Sequence, residues 1–308
     1  MSETNSPVLE IKTEAKDLVA HGVSTCAGCG LELAMRVVTR VLGRNTVIVI
    51  PPGCAALFSG YGNQTGMRIP GFQGNLENTA AIAAGIKAGF EVQGRGDINV
   101  LGFAGDGATV DIGLQSLSGA FERGDAILYV CYDNEGYMNT GIQSSGSTMY
   151  QAWTKTTPAG KTVPRKNVME IVAAHRIPYA ASASVGFVDD LRKKVEKAKA
   201  CGGPSYIHIH APCATGWGFE PEKAITLARL AVQTRVWPLY EVVDGTKYRI
   251  THSIARPKKV EEYLRLQARF KNLPDSAIAD VQNQVDQEYE VLMTRLNAQL
   301  TGAGSKTS

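Results

Sequence analysis

At 308 residues, 44% of them hydrophobic, the chain is long enough to fill one large α/β core or two smaller ones. Its net charge of +3, from 32 basic and 29 acidic residues, gives no field of one sign and argues against nucleic acid as a partner. The opening MSETNSPVLEIKTEAKDLVA has no apolar signal-peptide core, and no apolar run of about 18 residues occurs, so neither secretion nor a membrane span is expected. The six cysteines therefore read as reduced, metal-bound or catalytic thiols of a cytoplasmic protein, not as a disulfide framework.

The first chemical landmark is HGVSTCAGCGLELAMRVVTRVLG. Cys26 and Cys29 form a CxxC beside Gly28 and Gly30, and a helix is expected just after, with Leu33, Val37, Val41 and Leu42 on one face. That spacing suits zinc, an iron-sulfur cluster or a redox dithiol, and alone does not choose among them. TVIVI reads as a buried strand, and PPGCAALFSGYGNQTG ends it with Cys54 in a glycine-rich loop. GNLENTAAIAAGIKAGFEV predicts a tightly packed helix capped near Glu77 and Asn78.

INVLGFA then predicts a strand that turns sharply at Gly105-Asp106-Gly107. Ile112, Leu117, Ala120 and Phe121 share one side of the helix expected next, and AILYVCY is the following buried strand, delivering Asp133 and Asn134 to the same sheet edge as Asp106. Ligands of open α/β sheets sit beyond the carboxyl ends of the strands, where glycine N–H groups and helix N-termini bind phosphate. A carboxylate and an amide oxygen at that edge suit Mg²⁺ shared with a diphosphate. GDG followed at this interval by an asparagine resembles the diphosphate motif of thiamin-diphosphate enzymes. On that resemblance Gly105, Asp106, Gly107 and Ala108 border the diphosphate, while Asp106 and Asn134 hold Mg²⁺ through side chains and Gly136 through its carbonyl.

Beyond Asn134 lies a long polar loop, EGYMNTGIQSSGSTMYQAWTKTTPAGK, in which Asn139, Thr140 and the segment from Gln143 to Ser145 offer donors toward a substrate or diphosphate. Strand and helix then alternate through NVMEIVAAH, YAASASV, VDDLRKKVEKAKA and SYIHIHAP, a doubly wound, mostly parallel pattern. Cys213 arrives at the end of the last strand. Cys131 reads as a buried strand residue and Cys201 as an incidental thiol, while His208 and His210 read as structural histidines without an acidic partner. From Glu220 the pattern predicts a helix, a short extended piece and a hairpin arm, and from Val260 onward helix. The stripe Ile278, Val281, Val285, Tyr289, Leu292, Leu296 needs a surface to cover, whether on a partner or on this chain. Residues 1–240 are expected to form the diphosphate and iron-sulfur domain and 241–308 a C-terminal arm, with TGAGSKTS as a disordered tail.

Cys26, Cys29, Cys54 and Cys213 all fall at the sheet edge that carries GDG. A 4Fe-4S cluster takes four cysteine thiolates and tolerates loops of any length between them. The segments CAGCGLELA, PPGCAALFSGYG, GDGATVDIGLQSLSGAFERG, YDNEGYMNTGIQSSG, APCATGWGFEPEK and ARLAVQTRVWPLYEV strongly resemble the beta subunit of the pyruvate:ferredoxin oxidoreductases, over about residues 15 to 275.

The resemblance implies oxidative decarboxylation of a 2-oxoacid on thiamin diphosphate, with electrons passed singly to the 4Fe-4S cluster and then to ferredoxin. It places Asn139 near the thiazolium and substrate, and makes Cys54 both a cluster ligand and a neighbour of the cofactor. It also implies alpha, gamma and delta-type partner subunits, since this chain has neither the glutamate-bearing half of the thiamin site nor a CxxCxxCxxxCP run for relay clusters. Where the family often runs through SGATP after NTGIQ, this chain has SSGSTMYQAW, so Ser147, Met149 and Tyr150 are expected to shape the substrate pocket. Pyruvate with CoA is one substrate expectation and oxalate without CoA the other. A cluster-free thiamin-dependent decarboxylase half, or a scaffold subunit, are the readings of other classes.

Overall fold

The computed structural model describes residues 17–60 and 65–303. Residues 61–64, within the glycine-rich segment after Cys54, and most of the expected tail lie outside the described residues; Thr301 to Ala303 continue the last helix.

One eight-stranded sheet organises the chain in the order β2-β1-β3-β4-β6-β5-β7-β8. The strands are β1 (Thr46–Ile50), β2 (Gly71–Gln73), β3 (Asn99–Gly105), β4 (Leu128–Asp133), β5 (Tyr179–Ser184), β6 (Ser205–His210), β7 (Leu239–Val243) and β8 (Lys247–His252). The first six are mutually parallel, and β7 and β8 add an antiparallel hairpin at the edge beside β5. The expected doubly wound, mostly parallel α/β fold is therefore what forms. After β1 the chain goes to β2 on one side and β3 on the other. The order reverses between β1 and β3, and a crevice opens above their carboxyl ends.

Alternation along the strands divides the core. Leu101 and Phe103 face α1 (Gly30–Leu42) and α5 (Val188–Ala200), whereas Val100 and Ala104 face α2 (Thr79–Val92), α3 (Leu114–Glu122) and α4 (Val168–Ala174). A third cluster is built around Trp217 of α6 (Ala214–Trp217), with α7 (Ala224–Gln233), α8 (Val260–Leu264) and the first half of α9 (Asp275–Ala303).

Three local expectations need correction. Asn78 occupies the N-cap position of α2 but makes no capping bond; its Oδ1 accepts instead from the Asn75 N–H, and the Glu77 carbonyl accepts from Ser116. Ile112 is 49% exposed and does not join Leu117, Ala120 and Phe121 in the core. A wide π-helical turn, Gly107–Asp111, precedes α3 and rotates Ile112 off the buried face. His208 does have an acidic partner, supplied by the neighbouring strand: its Nε2 lies 2.7 Å from Asp133 Oδ2.

The stripe on α9 folds back on its own chain, with Ile278, Val281, Val285 and Leu292 all buried. The 240/241 junction falls inside β7, so the C-terminal arm begins as part of the sheet. Replacing Leu292, 7% exposed, by alanine is expected to cost about 2–4 kcal/mol in urea denaturation. Val291→Ala, at a side chain 55% exposed, should stay within about 0.5 kcal/mol of wild type.

Candidate active site

The crevice at the switch point is a cavity of about 180 Å³, lined from three strand ends: Pro51 to Cys54 at the end of β1, Gly105, Gly107 and Ala108 at the end of β3, and Tyr132, Asn134 and Gly136 to Thr140 at the end of β4. The residues expected at a diphosphate site thus meet in one place. Gly107 is required by close approach, because a Cβ there would stand 2.4 Å from the Tyr137 ring. Gly136 is buried, whereas Asn139 and Thr140 are exposed at the mouth, where Thr140 Oγ1 donates to Gln143 Oε1 at 2.7 Å.

Asp106, between Gly105 and Gly107 directly after β3, is fully buried and is not itself part of the lining. Burial, and secondarily the Asp133 carboxylate, push its carboxyl well above the usual range, while a hydrogen bond from Ser145 works the other way. Ser145 Oγ donates to Asp106 Oδ2 at 2.5 Å. Among the described residues Asp106 forms no ion pair. The inward atom of the Asn134 amide is 3.0 Å from both Asp106 Oδ1 and the Gly136 carbonyl oxygen. As nitrogen it donates to both; as oxygen it completes a converging set of three oxygens.

Two further buried acids flank Asp106. Burial disfavours the Asp133 carboxylate, but hydrogen bonding and charge from His208 prevail and hold it below the ordinary range. Glu135, in the left-handed region at φ 61°, places Oε2 2.7 Å from Arg269 Nη1. This contact is a close ion pair without hydrogen-bond alignment, since neither Glu135 oxygen has an aligned donor. Removing one member of such a buried pair typically costs about 3–5 kcal/mol.

The thiols stand at the same edge. Cys29 precedes α1, and the Gly30 N–H donates to the Pro212 carbonyl at 3.2 Å, which brings the CxxC turn against the Cys213 segment. Cys54 opens a 3₁₀ turn, Cys54–Phe58, anchored where the Ala55 N–H donates to Tyr132 Oη at 3.2 Å. Cys213 Sγ accepts from the Gly216 N–H at 3.2 Å. Burial pushes the Cys54 thiol up to about 12, and the next largest causes are the charges of Cys213, Cys29 and Cys26. Cys213 is likewise pushed up to about 11, by burial first and then Cys29 and Cys26. Cys131 is buried in β4, away from this group, and Cys201 donates to the Ala198 carbonyl at the end of α5. Among the described residues no three His, Cys, Asp or Glu side chains close together as they would around a single ion.

The loop after Asn134 is a folded wall of the site. Asp111 accepts from the Gly146 N–H, Tyr137 Oη and Lys166 Nζ, and Lys161 Nζ donates to the carbonyls of Ser145, Gly146 and Thr148. Ser147 and Met149 are buried in this packing, and neither they nor Tyr150 line the cavity beside Gly105. Asp111, Lys161, Glu135 and Arg269 were not singled out in the sequence.

Residues 52–209 match the family described as thiamine pyrophosphate enzyme, C-terminal TPP binding domain. The chain belongs to that family, in its branch of 2-oxoacid:ferredoxin oxidoreductase subunits. It is 48% identical over 281 residues to pyruvate synthase subunit PorB of Methanothermobacter thermautotrophicus, covering 90% of this chain and 97% of that one. It is 46% identical to ketoisovalerate oxidoreductase subunit VorB of Pyrococcus abyssi, covering 88% and 91%. In fold it is similar to 2-oxoglutarate:ferredoxin oxidoreductase of Magnetococcus marinus, with a TM-score of 0.57 at 18% identity over 69% of this chain and 79% of that one.

Lys161→Met should release the loop wall. Amide hydrogen exchange over residues 145–148 is expected to accelerate about tenfold to a hundredfold, with exchange in β3 and β4 unchanged.

Proposed function

We propose that this chain is the thiamin-diphosphate- and cluster-binding subunit of an enzyme that oxidatively decarboxylates a small 2-oxoacid, pyruvate first, and passes the electrons toward ferredoxin. What carries the reading is the convergence at one sheet edge of Asp106, fully buried and without an ion pair among the described residues, and the thiols of exposed Cys26 and half-buried Cys29, Cys54 and Cys213, which sense one another's charge.

The donor set fits Mg²⁺. A carboxylate in a dry crevice is costly without a compensating charge, and a divalent cation supplies it. An Asn134 side-chain oxygen turned inward would join Asp106 Oδ1 and the Gly136 carbonyl, each 3.0 Å from that atom, as a hard oxygen donor. Asp106, Asn134 and the Gly136 carbonyl would hold the ion, and Gly105, Gly107 and Ala108 would let the backbone approach the diphosphate. Thiamin diphosphate, when bound, supplies the electron sink for loss of the carboxylate. Asn139, at the mouth, is placed to orient the substrate, with Thr140 beside it on the diphosphate loop.

Four cysteine thiolates are the ligand set that a 4Fe-4S cluster takes, and Cys54 senses the charges of Cys213, Cys29 and Cys26. Cys26, Cys29, Cys54 and Cys213 are its ligands, and Cys54 also borders the diphosphate crevice.

Alpha-type and relay-cluster subunits complete the enzyme, and the arm of residues 241–308 joins the contact with them. This agrees with the subunit names of the relatives. Reduced thiols and a soluble electron acceptor suit a cytoplasmic location; among the described residues no helix is long and apolar enough to cross a membrane. Pyruvate and ketoisovalerate, rather than oxalate, are the substrates that the relatives' names carry.

Purified anaerobically with its partners, the wild type should contain iron and sulfide in equal amounts. Cys213→Ala should lose or convert this cluster, and Cys201→Ala should not; full iron in Cys213→Ala would contradict the ligand set. Asp106→Ala is expected to abolish retention of thiamin diphosphate, and Asn134→Ala to weaken it less, because an amide ligand carries no charge. A dye-reduction panel of pyruvate, ketoisovalerate and oxalate, each with and without CoA, should show the highest kcat/KM for pyruvate with CoA and no turnover by the isolated chain. Oxalate-dependent reduction without CoA, or turnover by the single chain, would overturn this part of the reading.

A further inference from the structure

The ion pair of Glu135 and Arg269 joins parts of the chain that the proposed function assigns to different cofactors. Arg269 comes from the 3₁₀ turn Ala268–Phe270, shortly before α9. Its guanidinium sits over the Trp217 ring at 4.0 Å and the Phe270 ring at 4.9 Å, and its Nε donates to Gln267 Oε1 at 2.8 Å. Trp217 Nε1 donates to the Asn134 carbonyl at 2.8 Å, and the Trp217 N–H donates to the Cys213 carbonyl at 2.9 Å. Glu135 stands between Asn134 and Gly136, with its own carbonyl accepting from Thr148 Oγ1 at 2.8 Å. One buried pair thus touches the diphosphate loop on one side and, through Trp217, the Cys213 loop on the other.

Nothing in the local hydrogen bonding explains the pair. Both carboxylate oxygens of Glu135 and Nη2 of Arg269 are buried without an aligned partner, and Glu135 holds a backbone conformation that favours glycine. A purely structural filler would be better served by apolar residues of similar size. The positive charge also acts outward, since Arg269 favours the ionised form of the Cys213 thiol against the larger effect of burial.

We infer that the Glu135–Arg269 pair is a positioning clamp shared by the two cofactor sites, fixing Asn134 and Gly136 on one side and the Cys213–Trp217 turn on the other. The clamp rests on the proposed function, and it makes both sites depend on a C-terminal segment that contributes no ligand to either.

The test uses the full chain purified anaerobically with its partner subunits, as wild type, Arg269→Gln, Glu135→Gln and the double variant. Calorimetry with Mg²⁺ reads the thiamin diphosphate Kd, and an EPR-monitored titration reads the cluster midpoint potential. Each single variant is expected to raise Kd about tenfold or more, and the double variant to recover most of the loss, because one uncompensated buried charge is worse than none. The midpoint potential should fall in Arg269→Gln and rise in Glu135→Gln, since removing positive charge disfavours the reduced cluster and removing negative charge favours it. Opposite shifts with recovery in the double variant support the clamp; shifts of the same sign, no shifts, or no recovery overturn it. If a single variant fails to accumulate, Arg269→Lys takes its place, keeping the charge and losing the planar fit over Trp217. Weaker thiamin binding at an unmoved potential then supports the clamp, and wild-type binding overturns it. A wild-type complex lacking iron or thiamin diphosphate overturns the functional reading and the clamp with it, whereas a loaded wild type with indifferent variants overturns the clamp alone.

Discussion

The rest of the site depends on a buried carboxylate, Asp106, that has no ion-pair partner among the described residues. Three acids, Asp106, Asp133 and Glu135, crowd the ends of β3 and β4, and two of them are compensated from within: Asp133 by His208 and Glu135 by Arg269. Among the described residues Asp106 receives the Ser145 hydroxyl, a hydrogen bond from its own backbone and whichever atom Asn134 turns inward. Desolvating a carboxylate costs several kcal/mol even after relaxation, which is why burial raises the Asp106 carboxyl, and it is this cost that a cation in the proposed site would relieve. The loop from Gly136 to Lys161 is arranged around the same point, since Ser145, which reaches Asp106, is itself held by Lys161 through its carbonyl.

Much of the fold was legible because strands buried on both faces read as continuous apolar runs with turn residues at their ends. TVIVI, INVLGFA, AILYVCY and SYIHIH mark β1, β3, β4 and β6, and the carboxyl ends of the first three border the cavity at the switch point. Where the reading failed, the deciding contacts are distant or conformational. The spacing of Ile112, Leu117, Ala120 and Phe121 is helical, yet a π-helical turn intervenes and Ile112 reaches solvent. Nothing local in AILYVCYD or SYIHIH announces that His208 will face Asp133; only the parallel pairing of β4 with β6 brings them together. Lys161 looked like one more polar loop residue, and its burial under three carbonyls comes from the fold of the loop.

The C-terminal third changes meaning on the same grounds. An amphipathic stripe says that a helix must be covered but not by what, and here α9 is covered by its own chain. Between the hairpin and α9 sits Arg269, so the region that looked like an appendage supplies the only cation paired with Glu135 among the described residues. A candidate site built at the sheet edge thus takes part of its charge balance from Arg269, far along the chain, and the thiol-bearing and carboxylate-bearing loops are packed together through Trp217.

The central claim is that one sheet edge holds a diphosphate-bound Mg²⁺ and a four-iron cluster side by side. The most direct measurement is diffraction from the anaerobically prepared complex, with anomalous data at the iron and zinc edges. The account predicts four iron peaks enclosed by the sulfurs of Cys26, Cys29, Cys54 and Cys213, and a separate light ion bounded by Asp106, Asn134 and the Gly136 carbonyl against a diphosphate. A single zinc peak among the cysteines, or a diphosphate bound away from Asp106, would contradict it.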